Sequence, residues 1–142
     1  MNKKIIIIPI ILIVIAIGLS FNQSDKINDN KVFHVTLADP NLYKSGVYSG
    51  TFTINEGKYV LKFIPNGDSP QSLNILLKGE TYDFSEDFKL IGTLHQTGIS
   101  EYYTWDYDGN KEISILVEQT VIIKINPNGN ELGSVSVSII EK

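Results

Sequence analysis

Between Val32 and Lys142, apolar residues recur at every second position. The stretch "FHVTL" places Phe33, Val35 and Leu37 on one face, and "YSGTFTI" does the same for Tyr48, Phe52 and Ile54. "GKYVLKFI" sets Tyr59, Leu61 and Phe63 against Lys58 and Lys62. "SLNILLK" aligns Leu73, Ile75 and Leu77, and "EDFKLIGTL" aligns Phe88, Leu90 and Leu94. "EISILV" and "TVIIKI" are β-branched and nearly continuous, while "SVSVSII" alternates Val135, Val137 and Ile139 with serines. A period of two, carried by β-branched and aromatic side chains, predicts strands with one buried face. No convincing helical period interrupts it.

Turn-forming clusters separate these runs: "ADPN", "NEG", "PNGDSP", "KGE", "QTG", "DYDGN" and "NPNGN". Short strands with turn signals every 8–12 residues or so argue for two packed antiparallel sheets. The predicted fold is all-β, an antiparallel β-sandwich or jelly roll over residues 32–142. The tripeptide Pro-Asn-Gly occurs twice, at Pro65–Gly67 and Pro127–Gly129, each time after an apolar run. Proline cannot donate to a β ladder and Asn-Gly tolerates positive φ, so strand-ending turn chemistry explains both copies.

The beginning of the chain has a different pattern. "MNKKIIIIPIILIVIAIGLSF" has two lysines followed by an apolar run. Positive charge ahead of such a run keeps the N-terminus cytoplasmic and puts the rest outside. Residues 1–21 read as an uncleaved signal anchor, or transmembrane helix, with residues 5–21 in the membrane. A cleaved signal peptide is the alternative, with Ala16 and Gly18, or Gly18 and Ser20, at the cut; the domain is then secreted. Residues 22–31 form a polar stalk, and Asn22–Ser24 is a formal glycosylation acceptor.

Composition narrows the partners. The chain has no cysteine, so disulfides, thiolate metal sites and a lipid-anchored cysteine are excluded. All 12 basic residues are lysine. Lys3 and Lys4 precede the anchor, which leaves 10 lysines against 16 acids, a charge of −6 for the remainder. That balance disfavours nucleic acid and anionic membrane surfaces, and the absence of arginine removes bidentate phosphate recognition.

Two stretches carry candidate chemistry. "DYDGNKE" offers Asp106, Asp108, Asn110 and Glu112 at alternating positions, a spacing like the opening of a calcium loop. Its glycine precedes the third oxygen ligand instead of following it, and Asp-Gly is also a hairpin signal between "YYTWDY" and "EISILV". "EYYTWDY" places Tyr103, Trp105 and Tyr107 on one face, either as a platform for a glycan or protein ligand or as core packing. His34 and His95 are the only histidines, and with Glu101 they make a candidate metal set. No nucleophile elbow, phosphate loop or acid/base carboxylate pair stands out; Glu86 and Asp87 are adjacent and face opposite ways on a strand.

The segment "YSGTFTINEGKYVLKFIPNGDSPQSLNILLKG" is similar in outline to the GOLD-type sandwich of the emp24/p24 family. That resemblance implies a lumenal or extracellular binding module on a single-pass protein. The chain departs from that family in having no disulfide and in carrying its apolar segment at the N-terminus. Richness in Ile, Lys and Asn without Cys also resembles membrane-anchored archaeal proteins of unassigned function. The expected function is therefore a membrane-tethered extracytoplasmic binding or cell-envelope module without catalytic activity. The alternatives are a small accessory subunit of a membrane complex and a metal-dependent enzyme.

Overall fold

The computed structural model describes residues 30–142. The apolar segment 1–21, the tripeptide Asn22–Ser24 and the polar stretch as far as residue 29 lie outside the described residues. Nine strands follow: β1 (Lys31–Leu37), β2 (Tyr48–Ile54), β3 (Gly57–Ile64), β4 (Ser72–Lys78), β5 (Asp83–Gln96), β6 (Glu101–Asp108), β7 (Glu112–Ile115), β8 (Gln119–Asn126) and β9 (Val135–Glu141). β1 begins at Lys31, the last residue read as stalk. The "ADPN" cluster forms a 3-10 turn, started by Asp39, whose side chain accepts from the Asn41 N–H at 2.9 Å.

The strands make two antiparallel sheets, ordered β1-β9-β3-β7 and β2-β8-β4-β5-β6. Four of the pairings are β1 with β9, β2 with β8, β3 with β7, and β4 with β5. The chain is thus doubled back into a ribbon of strand pairs, and successive pairs alternate between sheets. One residue of slippage would turn a strand's apolar set outward, so the alternation seen in the sequence fixes the register. Leu37, Tyr59, Leu61, Ile113, Val137 and Ile139 point inward from the four-stranded sheet, against Leu73, Ile75, Leu77, Phe88, Ile123 and Ile125 from the five-stranded one.

Two apolar runs end differently from the sequence pattern. "EISILV" is strand only to Ile115, and Leu116 and Val117 are exposed in the turn that follows. β8 does alternate: Val121, Ile123 and Ile125 are buried while Ile122 faces outward.

The two Pro-Asn-Gly loops lie side by side. One links β3 to β4, the other links β8 to β9, and each crosses from one sheet to the other. Because β3 pairs with β9 and β4 with β8, both crossings fall at the same end. Asn66 Nδ2 donates to Ser134 Oγ at 2.9 Å, and the Ser69 hydroxyl donates to the Ser134 carbonyl. Their conformations differ. Asn128 and Gly129 have φ of 52° and 93°, whereas neither Asn66 nor Gly67 is in the left-handed region.

Beneath these loops two tyrosines are buried. The Tyr107 hydroxyl donates to the Pro70 carbonyl at 2.6 Å. The Tyr43 hydroxyl is buried without a hydrogen-bond partner. Burial raises the pKa of both phenols; the charge of Glu131 adds to the effect at Tyr43, and the neighbouring Tyr43 adds to it at Tyr107. Both rings therefore stay neutral throughout the physiological range. Tyr107→Phe should lower the unfolding free energy by about 1–3 kcal/mol, because it strands a buried acceptor. Tyr43→Phe should be neutral or stabilising, because it removes an unsatisfied donor. Urea titrations of the two variants test this, and equal losses would show that the Pro70 bond contributes nothing.

Candidate binding cleft

β5, with 14 residues, is twice as long as β4 beside it. Its first half, Asp83–Lys89, pairs with β4, and its second half, Lys89–Gln96, pairs with β6. The β5–β6 hairpin therefore reaches past the sandwich as a two-stranded arm. In the facing sheet β7 is only four residues long and covers β3 from Gly57 to Val60. Beyond it, the Leu61 N–H still meets the Lys111 carbonyl at 2.9 Å, and then the edge of β3 is open from Lys62 to Ile64.

A cleft of about 1150 Å³ fills the space between that open edge and β6. Phe63 and Trp105 line it, with Lys62, Asp106 and Asp108 along its rims and Gly109–Glu112 closing one end. The Phe63 ring packs on Phe88 at 4.9 Å and on Tyr107 at 5.1 Å, which joins the two sheets at its base. Lys111 Nζ lies 5.7 Å from the centre of the Phe63 ring, within reach of a cation–π contact.

The predicted aromatic row is graded from core to solvent. Tyr107 is 1% exposed and serves as floor, not as a surface. Trp105 is half-buried, and Tyr103 is 56% exposed with its ring stacked on Trp105 at 5.7 Å. The Trp105 indole lies over Gly92, its cross-strand partner, where a Cβ would come within 2.7 Å of the ring. A Cβ at Gly67 of the first Pro-Asn-Gly loop would come within 3.4 Å of the other part of the indole. On the opposite face of the arm, His95 stacks on Tyr102 at 4.9 Å and shares a 2.8 Å hydrogen bond with Thr104.

The four candidate calcium ligands are separated by the fold. Asp106 and Asp108 are on β6, Asn110 is in the crossing segment, and Glu112 opens β7 in the other sheet. The Asp106 carboxylate pairs with Lys111 Nζ at 2.8 Å, and the Glu112 carboxylate pairs with Lys142 Nζ. Asn110 Oδ1 accepts from the Glu112 N–H at 3.1 Å. Among the described residues no group of three or more His, Asp or Glu is gathered as a metal site. The Asp-Gly pair does not make a hairpin either, since β6 pairs with β5 and β7 with β3. Gly109 is needed at this crossing for another reason. Its φ is 154°, and a Cβ there would come within 2.6 Å of the Phe88 ring.

His34 and His95 are in different sheets. His34 Nδ1 shares a 2.8 Å hydrogen bond with Ser138 Oγ, but its other ring nitrogen meets Thr36 Oγ1 at 3.3 Å, where a catalytic relay would have a carboxylate. Glu101 accepts from Gln96 at the tip of the arm. Glu86 accepts from the Asn110 N–H at 3.1 Å and Asp87 from the Asn74 amide at 2.8 Å, so these two carboxylates serve local structure.

Sequence reading missed Lys62 and Phe63 as parts of the cleft, and Gly92 and Gly67 as its supports. The available signal was a glycine, Gly92, inside an otherwise good strand run. No family model, curated protein or solved structure matches the chain.

Trp105 is the only tryptophan of the chain, so its emission reports on the cleft. Gly92→Val should push the indole off its seat and shift its emission to the red, with a stability loss of roughly 1–3 kcal/mol from overpacking. An unchanged spectrum would mean that Gly92 does not seat the ring.

Proposed function

We propose that this protein is a membrane-tethered, extracytoplasmic binding module that holds an extended ligand in the cleft between β3 and β6, without catalysis. The observation that carries the reading is the position of β6. The strands β1-β9-β3-β7 over β2-β8-β4-β5 already complete a wrapped four-pair ribbon, which supports the finer reading of a jelly roll. β6 is added to that scaffold, and it brings the chain's only tryptophan to an open cleft, with Tyr103 stacked on its ring. Aromatic side chains that combine a large contact area with few rotatable bonds are the usual anchors of binding sites. The tether rests on the lysine-flanked apolar run at residues 5–21; among the described residues no helix is long and apolar enough to cross a membrane.

Calcium has no part in this reading, because Lys111 and Lys142 already neutralise two of the three candidate carboxylates. The melting temperature should be the same with calcium and with chelator. A calcium-dependent rise of several degrees, of the order given by about 2.7 kcal/mol of linkage, would return the metal to residues 106–112.

The direct test is a titration of the full chain in detergent with short peptides and oligosaccharides, read from Trp105 emission. At least one class should bind, and Trp105→Ala should weaken it by about 2 kcal/mol, roughly 30-fold. Protease added to intact cells should remove the domain. No emission change with any ligand, or a protected domain, would overturn the reading.

A further inference from the structure

β6 is an edge strand of eight residues, and among the described residues no strand pairs with its outer side. The direction of its main-chain groups follows from the hydrogen bonds around it. The Leu90 N–H donates to the Gln71 carbonyl on the β4 side, so Ile91, Thr93 and His95 turn theirs toward β6. Their partners on β6 are Asp106, Thr104 and Tyr102. The intervening residues Tyr103, Trp105 and Tyr107 therefore turn N–H and C=O outward. At Tyr107 the outward N–H is capped by Asp106 Oδ1 at 2.8 Å, and Lys111 holds that carboxylate in place. The ladder positions of Tyr103 and Trp105 have no such cap. Across the cleft, Phe63 turns its main chain to the open side by the same alternation, two residues beyond the Leu61 bond to Lys111.

Edge strands are ordinarily blunted by Lys, Pro, a bulge or extreme shortness. "EYYTWDYD" has no Lys and no Pro, and its register with β5 runs from Glu101 to Asp108 without a break. We propose that this edge accepts an added strand from a partner polypeptide that alternates apolar and basic residues. This rests on the reading of the cleft as a binding site and names its partner.

The alternation of the partner follows from the two faces of β6. On the inner face an added side chain would lie beside Trp105, Tyr103 and the Phe63 ring, which suits an apolar residue. On the outer face it would lie beside Tyr102, Thr104, the Lys111-paired Asp106 and Asp108, and a strand with three acids and no lysine suits Lys or Arg there, since opposite charges on paired strands are favourable and like charges are not. The same rule argues against a second copy of this chain. Two β6 edges laid together would gather six acids, Glu101, Asp106 and Asp108 of each copy, with no lysine on either strand. Main-chain bonds give such a complex its affinity, and the alternating side chains give it selectivity.

The test uses the full chain in detergent with an eight-residue acetylated and amidated peptide, Thr-Lys-Val-Lys-Val-Lys-Val-Thr. Amide hydrogen exchange at Tyr103 and Trp105 should slow about 100-fold when the peptide is at about 100 times its Kd. A peptide with Glu for Lys should bind roughly fivefold more weakly or worse. Backbone N-methylation of alternate residues should abolish binding. Three results would overturn the proposal: N-methylated peptide binding as well as the parent, binding that leaves the two amides unprotected, or no peptide binding at all. In the last case, Trp105 emission shifted by an oligosaccharide such as chitohexaose would leave the cleft as a binding site and fail the strand proposal alone. No response to either probe would fail both.

Discussion

Two packed sheets must cover each other's inner faces, and here five strands face four. Inner-face residues near the middle find partners, and Tyr59, Leu61, Phe88 and Ile123 are shut off from water. Toward the β6 edge the facing sheet runs out, because β7 stops after four residues. The inner row of the arm therefore passes from core to solvent along a single strand. Tyr107 is still under the loops, Trp105 is half-buried over Gly92, and Tyr103, opposite Leu94 and stacked on Trp105, is 56% exposed. The cleft is the direct result of this mismatch in width. At the opposite side of the sandwich the mismatch is absent: β1 and β2 are edges of their sheets, and Phe33 meets Phe52 at 5.1 Å to close the gap between them.

The strands were legible because a half-buried strand writes its face into alternate residues. Eight of the runs in the sequence coincide with β1–β5, β7, β8 and β9, and "EYYTWDY" coincides with β6. Which sheet each strand joins was not legible, since alternation marks a buried face without naming what covers it. Hairpin reasoning fails at the Asp-Gly pair for that reason: Asp108-Gly109 fits a hairpin locally, but the strands on either side belong to different sheets. The position of Gly109 against the Phe88 ring is a tertiary constraint that happens to select the same residue a turn would. The aromatic row was legible as a row but not as a gradient, because burial depends on how far the opposite sheet extends.

The repeated Pro-Asn-Gly has a topological cause. β3→β4 and β8→β9 belong to different strand pairs of the ribbon, but they cross between the sheets at one end of the sandwich, in opposite directions, because β3 lies beside β9 and β4 beside β8. Each crossing has to stop a ladder, turn, and enter the other sheet within a few residues, which favours the same residue types. The geometries then diverge. The second loop uses positive φ at Asn128 and Gly129, while the first has no positive φ at Asn66 or Gly67 and brings Gly67 close to Trp105. One copy is a turn alone, and the other is a turn that also supports the cleft.

An unprotected strand edge is a hazard in a free monomer, so its position matters. β7 is kept short, and the β1–β2 side is closed by an aromatic contact. The long edge of β6 lies beside the cleft and opposite the open stretch of β3. Asp106 caps the Tyr107 position, at the end of the strand nearest the sandwich, and leaves the next two ladder positions toward the tip. A cap there limits how far an incoming strand can run without blocking its entry. The acids at both ends of β6 act in the same direction, since they repel another copy of the edge and favour a basic partner. Edge, cap and charge thus select against self-association while leaving the cleft side of the strand open to a chain of opposite sign.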